Sequence, residues 1–93
     1  MEDVNFLVVI KYDISDNKKR NKFSKLLLSY GVRVQKSVFE CRLNKKKIKN
    51  LINDIEKIID IEDYVRMYKI RSDSEIHIWG NIPLYEEEDF IFI

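Results

Sequence analysis

The hydrophobic period of this chain switches from strand to helix and back twice, and few folds accept that order. Val4 to Tyr12 is rich in Val, Ile, Leu and Phe and reads as a buried strand. Asp13-Ile14-Ser15-Asp16 leaves it as a loop, and Ser15 or Asp16 can cap a helix over about residues 16–30. That helix carries Phe23, Leu26, Leu27 and Tyr30, the i, i+3, i+4, i+7 stripe of one buried face. Gly31 stands where a C-cap glycine belongs. Arg33 to Leu43 is extended again. From Ser37 onward Phe39, Cys41 and Leu43 alternate with Val38, Glu40 and Arg42. This stretch is one long strand or two short ones bent near Lys36-Ser37, and no Gly or Pro decides between them. Asn44 is a good cap for a second helix over about 44–60, striped by Ile48, Leu51, Ile52, Ile55 and Ile59. Tyr64 to Ile70 and Glu75 to Trp79 read as further strands before Asn81-Ile82-Pro83 breaks the chain.

The order is β-α-β(β)-α-β-β plus a tail. With the bend, it predicts an α+β chain of the ferredoxin-like β-α-β-β-α-β kind: an antiparallel sheet with two helices on one face. Ninety-three residues hold one small domain, expected over residues 1–80. Residues 81–93 form a C-terminal segment, in which Glu86 to Asp89 precedes the apolar end Phe90-Ile91-Phe92-Ile93. Left bare, that end would be a sticky edge. Because the core is complete before Gly80, the tail is expected to add a strand to a second subunit's sheet in a homodimer.

Several classes are excluded at once. The longest uncharged apolar run, Phe6 to Ile10, falls far short of the roughly 18 residues of a membrane span. The N-terminus is acidic at Glu2 and Asp3, unlike a secretory signal. Cys41 is the only cysteine, so no intrachain disulfide forms, and a reducing cytoplasm is the natural compartment. One cysteine and one histidine also exclude a zinc finger within one chain.

The formal charge of +1 conceals a strong asymmetry. Residues 11–49 hold 13 Lys/Arg against 3 Asp/Glu, a net +10, while residues 50–93 hold 4 against 11, a net −7. Lys18, Lys19 and Arg20 fall in the first turn or so of helix 1, and Lys45, Lys46 and Lys47 in the first turn of helix 2. Positive charge there opposes the helix dipole, at a cost of about 0.3–1 kcal/mol each. With Lys11, Lys22, Lys25, Arg33, Lys36 and Arg42 these residues predict a surface for backbone phosphates. For any single lysine the simpler reading is a solvated position in a chain rich in lysine. No zinc finger, recognition helix or base-stacking signature is present, so the contacts would position a nucleic acid without reading its sequence.

Asp13 is the candidate catalytic carboxylate, since it ends a strand at the edge of a loop. One carboxylate is a poor metal site, but a two-fold axis nearby would supply a second from the partner, and a divalent cation would relieve their repulsion. The structural alternative is a turn or capping residue. His77 reads as an ordinary strand side chain, Cys41 as core, and Tyr68 and Trp79 as core or dimer contacts.

Tyr12-Asp13-Ile14-Ser15-Asp16, Lys19-Arg20-Asn21-Lys22, Leu26-Leu27, Tyr30-Gly31, Arg33-Val34-Gln35 and Ser37-Val38-Phe39-Glu40 together resemble CRISPR-associated protein 2. The likeness covers about residues 4–70. It implies a ferredoxin-like homodimer whose C-terminal strands cross to the other subunit, with Asp13 of both subunits holding Mg²⁺ (Mn²⁺ is also possible). Arg20, Arg33 and Phe39 match residues implicated near that site, and Tyr12 lies beside it. Family members are metal-dependent endoribonucleases or deoxyribonucleases, and scaffolds between dimers of the integrase, CRISPR-associated protein 1. Two departures are Lys19, where the family often has arginine, and Cys41, where a small residue is common. Lysine keeps the charge but loses bidentate phosphate contact. The expected function is therefore spacer acquisition, with the dimer binding duplex DNA or single-stranded RNA and bridging the integrase. A Mg²⁺-dependent phosphodiesterase acting through Asp13 is the second, compatible activity. A toxin-like endoribonuclease of the virulence-associated protein D type is the alternative.

Overall fold

The computed structural model of the protein describes residues 5–80. Six elements follow in order: β1 (Asn5–Asp13), α1 (Asn17–Leu28), β2 (Val32–Gln35), β3 (Val38–Asn44), α2 (Lys45–Glu56) and β4 (Tyr64–Arg71). The four strands form one antiparallel sheet in the order β2-β3-β1-β4. This is the ferredoxin-like α+β arrangement, with β1 central between β3 and β4. Phe6 pairs with Leu43 on one side and Arg71 on the other, and Lys11 with Val38 and Arg66.

Alternation along β1 decides which side the helices cover. Phe6, Val8, Ile10 and Tyr12 enter one buried cluster with Phe39, Cys41 and Leu43 of β3, Phe23 and Leu27 of α1, and Ile48, Leu51 and Ile55 of α2. Burying each large apolar side chain contributes about 1.5–3 kcal/mol, which makes this face the main source of stability. Cys41 is core filler as expected. Burial, with Glu40 adding to it, pushes its thiol up to about 11 and keeps it protonated. Neither of the two described helices covers the opposite face of the sheet.

The caps fall on Asp16 and Asn44, whose side chains accept the backbone N–H of Lys19 and Lys47 respectively. The extended stretch from residue 33 resolves into two strands with a turn at Lys36-Ser37. No glycine makes this turn. Arg33 Nη1 donates to the Lys36 carbonyl at 3.2 Å, and the Tyr12 N–H donates to the Ser37 carbonyl at 3.1 Å.

Two expectations need correction. Gly31 is not a left-handed cap, because α1 ends at Leu28 with Ser29 as its C-cap, and Gly80 alone among the described residues has positive φ. It is needed for close approach: a Cβ on Gly31 would lie 2.3 Å from the Glu40 carbonyl oxygen and 2.6 Å from Cys41 Sγ. The other correction is Glu75 to Trp79, which forms no strand. Alternation cannot make a strand without a ladder partner, and no described strand pairs with this segment. Its Ile78 and Trp79 are 68% and 85% exposed. His77 therefore lies in irregular chain, paired with Glu75. The expected C-terminal strand over 81–93 lies outside the described residues.

Candidate functional site

Asp13 is the last residue of β1. The register that buries Tyr12 turns Asp13 and Lys11 to the helix-free face. On that face Asp13 lies opposite Tyr64 of β4, and Lys11 opposite Arg66. Among the described residues nothing engages the exposed Asp13 carboxylate. Nor do the described residues contain a cluster of three or more His, Cys, Asp or Glu able to hold a metal ion. The donor set that the described residues offer at Asp13 is a single carboxylate, so they fit a divalent cation only with a second donor beyond them.

Directly beneath, on the helix side, Tyr12 belongs to a buried group. Its ring meets Phe23 edge-on at 4.9 Å and stacks on Phe39 at 6.2 Å. The Arg33 guanidinium lies 4.9 Å from the centre of the Phe39 ring and donates to the Ser24 hydroxyl. Burial raises the Tyr12 phenol, with the Arg33 charge opposing it. Arg33, predicted from sequence as a phosphate contact, is only 6% exposed. It and Phe39 brace the strand that ends in Asp13 from the far side of the sheet and do not share its face.

The basic residues divide in a way no charge count reveals. Lys18 and Lys22 of α1, Lys36 in the turn, Arg42 of β3, and Lys45, Lys46 and Lys47 of α2 are exposed. Arg20 instead folds back on the loop after β1. It donates to the Ile14 carbonyl at 2.9 Å, to the Ser15 carbonyl at 3.3 Å, and to the Asn17 side chain. Lys19 turns the other way, onto Asp60 at 2.7 Å and Asp63 at 2.9 Å. Those two hydrogen bonds raise the Lys19 ammonium, and Lys19 in turn holds the Asp63 carboxyl below its ordinary range. Asp60, Asp63 and Ser24 had no signal in the sequence, since Asp63 lies 44 residues from the lysine it meets.

Fold and site together define a small ferredoxin-like protein with a strand-end carboxylate and a basic surface. Residues 6–76 match the family described as CRISPR associated protein Cas2. A relative from Synechocystis sp. named CRISPR-associated endoribonuclease Cas2 3 is 45% identical over 82 residues, covering 85% of this chain and 89% of that protein. The solved structure of hypothetical protein TT1823 from Thermus thermophilus superposes with a TM-score of 0.74 at 36% identity, covering 88% of this chain and 99% of that one. A chain of a partial Cas6-RT-Cas1–Cas2 complex gives a TM-score of 0.65 at 34% identity, covering 73% of this chain and 81% of that one. The protein belongs to the Cas2 family of CRISPR-associated proteins. The family match, and not the fold, separates the chain from the toxin-like alternative. Among the described residues no helix is long and apolar enough to cross a membrane.

Proposed function

We propose that this Cas2-family chain acts as a homodimer in spacer acquisition. It binds nucleic acid through backbone phosphates, bridges the integrase CRISPR-associated protein 1, and hydrolyses phosphodiesters with Mg²⁺ or Mn²⁺ held by Asp13 of both subunits. The observation that carries this reading is the exposed Asp13 carboxylate at the end of the central strand, engaged by none of the described residues and on the face that neither α1 nor α2 covers. The same face bears half-buried Val9 of β1 opposite exposed Tyr68 of β4, apolar surface suited to a second copy, beside Leu7, which is already buried. Two such faces meeting about a two-fold axis would bring their strand ends together. The paired carboxylates would then repel unless a cation lay between them. A divalent cation bound there supplies Lewis acidity toward a phosphodiester and an activated water. The chain's own part is to present the carboxylates on a rigid strand and to hold phosphates with Lys18, Lys22, Lys36, Arg42 and Lys45 to Lys47. Residues 81–93 would pair with the partner's sheet. The integrase contact is supported by the related chain solved in a Cas1–Cas2 complex, and the nuclease activity by the name of the Synechocystis relative.

Asp13→Ala, assayed in parallel for cleavage of RNA and duplex DNA and for spacer acquisition, tests the reading. Loss of metal-dependent cleavage by a folded dimer is the expected result. Undiminished cleavage, or sedimentation as a lone subunit with duplex and integrase present, would overturn it.

A further inference from the structure

We infer that Lys19 is a positioning residue for Asp13 and not a phosphate ligand. The inference rests on the reading of Asp13 as a cation ligand. Lys19 is the most enclosed lysine of the basic segment: its side chain is 18% exposed, and the Asp63 side chain it meets is 3% exposed. With Asp60 at 2.7 Å, Asp63 at 2.9 Å and Glu62 at 4.0 Å, three carboxylates surround one ammonium. A phosphate approaching Lys19 would meet more negative charge than positive.

The tie reaches Asp13 through the backbone. The Asp63 carboxylate also accepts the Asp60 N–H at 2.8 Å, which closes the turn before β4. The next residue, Tyr64, is the register partner of Asp13. On the other side, Asp16 accepts the Lys19 N–H at 2.8 Å, and Arg20 holds the carbonyls of Ile14 and Ser15. The first turn of α1 thus pins both flanks of Asp13. Lys19 secures the strand beside it, and Arg20 the loop that follows it. Outer contacts of this kind set how well a carboxylate meets its ion.

Two measurements on the full chain test the inference. Mn²⁺ binding is followed by the electron paramagnetic resonance of the free ion, without substrate or turnover. Duplex affinity is measured from about 50 to 200 mM salt. Lys19→Met and Asp63→Asn are each expected to weaken Mn²⁺ binding about tenfold, with Lys19→Arg restoring it. The salt slope is expected to stay at the wild-type value in all three. A slope lowered by about 0.9 in Lys19→Met would make Lys19 a phosphate ligand and overturn the inference. So would wild-type Mn²⁺ affinity in Lys19→Met and Asp63→Asn while Asp13→Asn binds none. Wild-type Mn²⁺ binding by Asp13→Asn itself would remove the underlying reading and the inference with it. Should Lys19→Met fail to fold, Asp63→Asn and Lys19→Arg decide the matter.

Discussion

The two helices begin almost identically and end in opposite electrostatic situations. Each is 12 residues long, and each starts from a polar cap whose side chain accepts the N–H three residues on. Neither has an acid in its first turn, and each carries three consecutive basic residues there. Lys19 and Lys47 are equivalent, both donating their backbone N–H to the cap. Yet Lys19 is enclosed by acids, while Lys45, Lys46 and Lys47 are exposed and form no ion pair with any described residue. The difference lies in what the fold sets opposite each turn. The α2–β4 loop brings Asp60 and Asp63 to α1, whereas the start of α2 faces solvent. A run of basic residues is therefore not one kind of feature: Lys19 and Arg20 of the first run are tied into the scaffold, while Lys18 and the whole of the second run are exposed.

The undersides of the helices should behave alike. Leu27 and Leu51 are both fully buried in the same cluster, so Leu27→Ala and Leu51→Ala should each cost about 3 kcal/mol in urea unfolding. A large inequality would mean that the helices differ in packing as well as in charge. The exposed ends should then separate them. Changing Lys45, Lys46 and Lys47 together to Gln should lower the salt slope of duplex binding by up to about 2.7, if each contacts a phosphate. The same change should leave the fold as stable or slightly more so, because each charge opposes the dipole by about 0.3–1 kcal/mol.

Removing the caps sharpens the contrast. Asp16→Ala and Asn44→Ala should each cost about 1 kcal/mol in thermal unfolding. Only the first should also weaken Mn²⁺ binding, since only α1 abuts Asp13. The smallest effect is expected from acid. The Asp63 carboxyl titrates below its ordinary 3.8, so its stabilising share is present above that value and is lost as the pH falls through the depressed one. Amide exchange should show the start of α1 losing protection below about pH 4, with α2 lagging and Asp63→Asn abolishing the difference.

Much of this architecture could be read from residues alone because it rests on short-range rules. The stripes Phe23, Leu27 and Ile48, Leu51, Ile55 give both helices a buried face, and Asp16 and Asn44 mark where they start. Asp13 was legible as a strand-end carboxylate, and alternation with buried Tyr12 places it on the uncovered face. The failures share one cause. Gly31 matters because β3 passes within a Cβ radius of it, and Glu75 to Trp79 is not a strand for want of a neighbour. Arg33 looked like a surface cation, but its guanidinium finds Ser24 and the Phe39 ring inside.

Residue order alone determined both helices, the first strand, the Asn44 cap, the inward faces and the single acid at the strand end, since these follow from periodicity and local hydrogen bonding, while the break at Lys36-Ser37 and the fate of Glu75 to Trp79 depended on neighbours in space. Which cations are free was settled only by the packed chain. An ammonium is neutralised by carboxylates in space, and those of Asp60 and Asp63 reach Lys19 only once β4 lies against β1.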